Sequence, residues 1–81
     1  MTQLKAHVCY TELVYQRVNK KLSVDLSPVD VEALVFAVLD DDASRVEKLG
    51  KNYCVTNSAR GVQLVINSIN YRLITVNCAM E

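Results

Sequence analysis

The hydrophobic residues of this chain change their spacing at about residue 50, and this change limits the folds that the chain can adopt. Before that point apolar residues recur at three- and four-residue intervals, as on a helix, whereas from Lys51 onwards they alternate with polar residues, as in a strand. Helices followed by short strands are typical of an α+β domain. We therefore predict one domain over residues 1–81, with a helical half in residues 1–49 and a β-meander in residues 50–78.

Two helices are predicted in the helical half. In residues 11–22, Val14 and Val18 belong to a stripe of apolar residues at helical spacing. The second helix is predicted to begin at Ser27 and Pro28, because serine is a favoured N-cap residue and proline is favoured at the first helical position. This second helix is apolar on both of its sides, so we expect it to be the central and most buried helix.

Residues 3–10 fit two different structures. Leu4 and Val8 are spaced as on one side of a helix, but Leu4, Ala6 and Val8 also alternate with polar residues, as in a strand. We favour a helix that begins near Leu4, and a short β-strand stays open as the alternative.

The segment after the second helix contains three consecutive carboxylates at positions 40–42. Because carboxylates oppose the dipole at a helix C-terminus, we expect either that the helix ends at the first of them or that the cluster has a partner. Residues 44–49 are then predicted to form one helical turn with Val46 and Leu49 facing inward. Gly50 is expected to close this turn in the left-handed conformation that glycine adopts readily.

Three strands are predicted in the second half, near Tyr53, at residues 62–66 and at residues 71–76. The turn between the first two has Gly61 at a position that favours a left-handed conformation. Connections this short require antiparallel neighbours. The predicted fold is therefore two helices, or two helices and a short preceding strand, packed on one face of a three-stranded antiparallel β-meander.

Composition excludes several classes of protein. Cys9, Cys54 and Cys78 are odd in number and widely separated, so they predict neither a disulfide framework nor a zinc knuckle, and they favour a reducing, cytoplasmic setting. No apolar stretch approaches the roughly 20 residues of a membrane span, so no membrane association is expected. The two glycines lie in no glycine-rich loop, so no nucleotide or other cofactor is predicted.

A metal or nucleophilic site is not predicted either. His7 and Cys9 are the one sequence-local pair that resembles such a site, and they would share a side only if residues 3–10 formed a strand. The chain has no second histidine. The carboxylates at positions 40–42 lack the alternation and the glycine of an EF-hand loop, so we interpret them as a solvated helix end.

Charge is distributed unevenly although the net charge is zero. Residues 1–44 carry four cationic and seven acidic side chains, and residues 45–81 carry five and two, so the two halves have net charges of −3 and +3. A surface that combines cationic and aromatic side chains can bind RNA through phosphate contacts and base stacking. The candidate binding residues of the basic half are Lys48, Lys51, Tyr53, Arg60, Tyr71 and Arg72.

Residues 9–22 (CYTELVYQRVNKKL), 50–57 (GKNYCVTN) and 66–76 (INSINYRLITV) resemble a family of short bacterial domains of unknown function. This resemblance implies a bacterial, cytosolic protein and carries no activity with it. The order of predicted elements, with a last strand that reads YRLITV, is also similar to the RelE and ParE toxin superfamily. The ribonucleases of that superfamily use basic and tyrosine side chains on the sheet. This likeness implies that the corresponding side chains here are Lys51, Arg60, Tyr71 and Arg72.

Two hypotheses about function follow from the sequence. The first is a non-enzymatic interaction domain that binds another protein or itself as a homodimer, because the chain is small, lacks a catalytic constellation and has opposite charges on its two halves. The second is a toxin-like or RNA-binding protein that uses a basic sheet surface. RNA binding of this kind should weaken steeply with salt, whereas binding through an apolar surface should not.

Overall fold

The computed structural model describes residues 2–78, which form three helices followed by a four-stranded antiparallel sheet. The helices are α1 (Thr2–His7), α2 (Glu12–Leu22) and α3 (Pro28–Asp40). The strands are β1 (Arg45–Leu49), β2 (Asn52–Asn57), β3 (Val62–Asn67) and β4 (Leu73–Cys78), and they lie in the sheet in this order. The α+β class is confirmed, but the prediction of two helices and three strands missed one helix and one strand.

The ends of α3 follow the signals in the sequence. The Oγ atom of Ser27 accepts a hydrogen bond from the backbone N–H of Asp30 at 3.2 Å, so the predicted N-cap is confirmed. The helix ends at Asp40, and Asp41 has an extended backbone. The acidic cluster also has a partner, because the ammonium group of Lys5 lies 2.6 Å from a carboxylate oxygen of Asp40.

The segment 3–10 is mainly helical, as favoured, because α1 spans Thr2–His7. A strand-like contact is limited to Cys9, which forms an isolated parallel bridge with the chain just before β4. Its N–H donates to the carbonyl of Tyr71 at 2.8 Å, and its carbonyl accepts from the N–H of Leu73 at 2.9 Å. The chain therefore leaves α1, touches the edge of the sheet at one residue and then enters α2.

The strand β1 occupies the segment that was predicted to be a helical turn, so that prediction was wrong. Gly50 has the expected positive φ of 61°, but it begins a two-residue hairpin turn between Leu49 and Asn52 and does not end a helix. Val46 and Leu49 point to opposite faces of a strand, and both are exposed. The sheet half of the domain therefore begins at Arg45 rather than at residue 50.

The strand β4 begins two residues later than predicted, because the turn before it is longer. Tyr71 has a left-handed backbone with a φ of 59°, and its N–H donates to the carbonyl of Asn67 at 2.9 Å. The side-chain oxygen of Asn67 also accepts from the N–H groups of Ile69 and Asn70. This asparagine organises the turn by bonding the backbone directly after it.

The three helices cover one face of the sheet, with α2 packed mainly against β4 and α3 packed against β2. The core between these layers is aliphatic, and its fully buried side chains come from α2, α3, β2, β3 and β4. They are Val18 in α2, Val31, Val35 and Val38 in α3, Val55 in β2, Leu64 and Ile66 in β3, and Val76 in β4.

Asn57 is a polar residue that is completely buried beside this core. Its amide nitrogen donates to a carboxylate oxygen of Asp41 and to the Oγ atom of Ser44, both at 2.9 Å, and its oxygen accepts from the N–H of Arg60 at 2.9 Å. The hydroxyl of Ser44 in turn donates to the carbonyl of Val38 at 2.7 Å. This network fixes the loop that joins α3 to β1.

The longest helix, α3, has 13 residues, whereas a membrane-spanning helix needs about 20 apolar residues. Within residues 2–78, no helix has the length and apolar composition that a membrane span requires.

Candidate interaction surfaces

The structure divides the six predicted binding residues between the two ends of the sheet. Arg60 lies in the turn between β2 and β3. The β1–β2 and β3–β4 turns meet at the opposite end, where the carbonyl of Lys51 accepts a hydrogen bond from the N–H of Ser68 at 2.8 Å. The other five residues lie in or next to the strands towards that end; they are Lys48, Lys51, Tyr53, Tyr71 and Arg72.

The two tyrosines of this set pack against the hydrophobic core. Tyr53 and Tyr71 are each partly buried against it. The ring of Tyr71 also lies 5.5 Å from the ring of His7 between centroids, at an angle of 44°. These rings therefore stabilise the domain, and they offer less open surface for base stacking than an exposed pair would.

Arg60 lies close to a carboxylate. The pKa of the Asp41 carboxyl is held below its usual value by the N–H of Ala43, by the amide of Asn57 and by the positive charge of Arg60. The donor nitrogens of Ala43 and Asn57 each lie 2.9 Å from a carboxylate oxygen of Asp41. The positive charge of Arg60 is thus already close to a negative charge of the same domain.

This environment predicts a pH-dependent contribution of Asp41 to stability. Because the folded state lowers its pKa, the contribution should be fully present above the ordinary carboxyl pKa of 3.8 and should be lost as the pH falls through the lower pKa of the folded state. Urea unfolding of the wild type and of Asp41→Asn should differ most near neutral pH and converge in acid. The exposed neighbour Asp42 gives the control substitution Asp42→Asn, and a pH-independent difference for Asp41→Asn would contradict the prediction.

The face of the sheet that the helices leave uncovered is mostly uncharged. Strand pairing places Cys54, Val65 and Thr75 in one row across its centre, with Glu47 at the β1 end of that row. The flanking positions are amide and hydroxyl side chains, namely Asn52, Thr56, Gln63, Asn67 and Asn77. In the register described for residues 45–78, Arg45 of β1 is the sole cation on this face. The positive charges of the second half therefore lie mainly in turns and at strand ends.

The start of the β4 edge of the sheet is covered by the N-terminal part of the chain. The two backbone hydrogen bonds of Cys9 occupy the start of this edge. Arg17 of α2 then donates to the carbonyl of Ile74 at 3.1 Å. The thiol of Cys9 lies 3.2 Å from the carbonyl of His7, and no group of three metal-ligating side chains is found within residues 2–78. The structure thus gives Cys9 a role in covering this edge.

Among residues 2–78, no segment pairs with the outer edge of β1. All five residues of β1 are exposed, and β1 lies at the end of the strand order with β2 as its neighbour. Val46 keeps 43% of its surface exposed although it faces the same side of the sheet as the buried residue Val55. The helical layer therefore does not extend over β1, and this strand offers a free edge to other chains.

The helix α3 has a second apolar side that faces solvent. Its inward-facing residues Val31, Val35, Val38 and Leu39 are buried. Val29, Ala33 and Phe36, which are spaced as one stripe on the opposite side, are exposed, and we call them the outer side of α3. Val29 is 75% exposed and Phe36 is 54% exposed. Among the helices described within residues 2–78, α3 has the most buried residues, as expected, but its outer side is exposed.

Carboxylates surround the outer side of α3. Glu32 accepts a hydrogen bond from the hydroxyl of Tyr15 at 2.8 Å, and Asp40 pairs with Lys5. The ammonium group of Lys5 also lies 5.6 Å from the centre of the Phe36 ring, within the range of a cation–π contact. The stripe therefore has an acidic border that contains one cation.

Two tyrosines hold this border in position. The rings of Tyr10 and Tyr15 stack with centroids 6.0 Å apart and an angle of 13° between their planes. Burial, with smaller contributions from Glu32, Tyr15 and Cys9, raises the pKa of Tyr10 to about 12. Desolvation and the hydrogen bond to Glu32 also raise the pKa of Tyr15. Both phenols therefore stay neutral at physiological pH, and Tyr15 joins α2 to α3 as a hydrogen-bond donor.

Comparison with known proteins places the chain in a family. The model of a family described as a protein of unknown function, DUF3781, matches residues 2–77. The chain belongs to the DUF3781 family. No curated protein and no solved structure matches it. The predicted resemblance to a family of unknown function is thus confirmed, and the likeness to RelE and ParE toxins finds no support.

The exposure of the outer side of α3 and of β1 in this DUF3781 domain differs from what the apolar pattern predicts. The apolar character of both sides of α3 predicted a central, most buried helix, and the exposure of Val29, Ala33 and Phe36 was not predicted. The length of the chain could have corrected this, because a domain of 81 residues has too few elements to cover both sides of a central helix. The segment from Arg45 to Leu49 carries no such signal, because its two apolar residues, Val46 and Leu49, are three positions apart and do not alternate with polar residues.

Proposed function

We propose that this DUF3781 domain is a non-enzymatic protein-interaction domain that binds a basic, partly apolar segment of another protein along the outer side of α3. The observation that carries the proposal is the exposure of Val29 and Phe36 on a helix whose other side already fills the core. An apolar stripe on a soluble domain, bordered by polar residues, is typical of a binding surface. Aromatic residues such as Phe36 are also frequent anchors at the centre of interfaces.

The border of the stripe supports the choice of partner. Asp30 and Glu32 lie on the same helix beside the stripe, and Asp40 lies at its end. Residues 1–44, which include this surface, carry a net charge of −3. A partner segment with apolar residues flanked by lysine or arginine would match both features, because opposite charges around an apolar contact favour the correct partner and speed its association.

Site-specific photocrosslinking in cells of the source organism tests the proposal. A photoreactive amino acid is placed at Ala33, in the middle of the outer side of α3, and the crosslinked segment of the partner is identified by mass spectrometry. We expect a segment of another protein that combines apolar residues with lysine or arginine. The same amino acid at Ala59, an exposed position in the β2–β3 turn, should not give this product.

A pair of matched substitutions completes the test. Phe36→Glu should abolish most of the Ala33 crosslink, because it adds a charge to the apolar contact. Leu13→Glu, at an α2 residue that is 68% exposed, should leave the crosslink unchanged. A synthetic peptide of the identified segment should bind the wild type and the Leu13 variant about equally and the Phe36 variant at least about tenfold more weakly. No specific product at Ala33, a product only with a second copy of this chain, or insensitivity to Phe36→Glu would overturn the proposal.

A further inference from the structure

The free edge of β1 presents a defined set of backbone groups. Leu49 and Asn52 close a two-residue hairpin turn, in which the closing residues are hydrogen bonded to each other. Because the direction of the backbone groups alternates along a strand, Arg45, Glu47 and Leu49 direct their N–H and C=O groups towards β2. The N–H and C=O groups of Val46 and Lys48 therefore point away from the sheet.

We infer that β1 pairs antiparallel with β1 of a second copy, around a two-fold axis at Val46, so that the two sheets join into one. This interface does not include the outer side of α3, and it goes beyond the interaction function proposed above. The start of the opposite edge is already occupied by Cys9 and Arg17, whereas all five residues of β1 are exposed, so β1 is the edge that favours addition of another strand. An isologous contact of this type closes as a dimer.

Charge selects the register of this pairing. The helix-covered faces of the two copies lie on the same side of the joined sheet only if the two-fold axis passes at a residue position and not between two residues. The candidate positions near the middle of β1 are Val46, Glu47 and Lys48. An axis at Glu47 places this carboxylate opposite its own copy, and an axis at Lys48 places two ammonium groups opposite each other. Like charges directly opposite are unfavourable. An axis at Val46 avoids both contacts.

The register centred on Val46 also creates favourable contacts. Arg45 of each copy then lies opposite Glu47 of the other, and this pair occurs twice because of the symmetry. These are non-hydrogen-bonded positions, at which opposite side chains come closest. The valines meet at the axis on the helical side of the sheet, where each is 43% exposed in the single chain. The outward N–H and C=O groups of the two Val46 residues bond each other.

Sedimentation velocity at several protein concentrations tests the dimer and its register. The wild type should show a concentration-dependent dimer. Arg45→Glu and Glu47→Arg should each raise the dissociation constant by about tenfold or more, because each places like charges opposite each other twice. The double variant R45E/E47R should restore the dimer. An equimolar mixture of the two single variants should form a heterodimer, since the charges are then complementary again.

Two further variants test whether the dimer forms through the edge of β1. Val46→Pro removes an N–H that makes no bond within the single sheet, so it should abolish the dimer while circular dichroism shows a folded domain. Lys20→Glu makes the same charge change as Arg45→Glu at an exposed position of α2 and should have no effect. A monomer at all concentrations would overturn the inference. So would a dimer that tolerates Val46→Pro or one that the double variant fails to restore. Crosslinking at Ala33 is independent of all these results.

Discussion

Replacement of Asn57 by alanine should lower the free energy of unfolding by about 3 kcal/mol. The side chain is fully buried, and its three hydrogen bonds join Asp41, Ser44 and the N–H of Arg60. Alanine leaves these partners without the amide, and a buried polar group that loses its partner costs about 1 to 3 kcal/mol. Urea unfolding followed by circular dichroism measures the loss.

The effect should also be local, because the network of Asn57 fixes the loop between α3 and β1. Hydrogen exchange of the Glu47 amide, which faces β2, should accelerate in Asn57→Ala more than exchange in the middle of α2. Asn77→Ala is the matched control, since Asn77 lies on the uncovered face of β4 and is only partly buried. Its substitution should change stability by less than about 1 kcal/mol. Equal losses for the two asparagines would show that the buried network contributes little.

Much of the fold could be predicted where a local interaction decides the structure. Ser27 and Pro28 predict the start of α3 because a serine oxygen and a fixed φ act within one helical turn. Gly61 predicts the β2–β3 turn because a left-handed conformation is required there, and its φ is 68°. In both cases the residues that decide the structure are neighbours in the sequence.

The errors arose where distant contacts decide the structure. Residues 45–49 contain Val46 and Leu49 at a helical interval, and they form a strand because β2 offers a hydrogen-bonded neighbour across the hairpin. The start of β4 at Leu73 likewise involves Cys9, which is distant in the sequence and bonds to the backbone of Tyr71 and Leu73. Neither effect can be seen in a local pattern of apolar residues.

The candidate surfaces also combine features that the local sequence decides with features that distant contacts decide. The excess of negative charge in the helical half follows directly from the sequence and explains the acidic border of α3. Whether an apolar residue is exposed depends on how many elements are available to cover it. Phe36 and Val35 are both apolar neighbours on α3, yet Val35 is fully buried and Phe36 is 54% exposed. The exposure of Phe36 therefore follows from the number of elements packed around α3 and not from its apolar character.

The asymmetry of the sheet should appear in a second pair of substitutions on one strand. Leu64 is fully buried on the helical side of β3, between Val55 and Val76 in the register, whereas Val65 is partly exposed on the uncovered face. Leu64→Ala removes apolar contacts and leaves a cavity, so the free energy of unfolding should fall by about 3 kcal/mol.

Val65→Ala should cost less than about 1 kcal/mol, because its side chain packs against neighbours on one side and faces solvent on the other. Urea unfolding at low protein concentration measures both variants as monomers and separates folding from association. A loss for Val65→Ala as large as that for Leu64→Ala would contradict the assignment of an uncovered face. That face would then have to be packed in solution, and an interface across the sheet would replace the β1 edge as the first surface to examine.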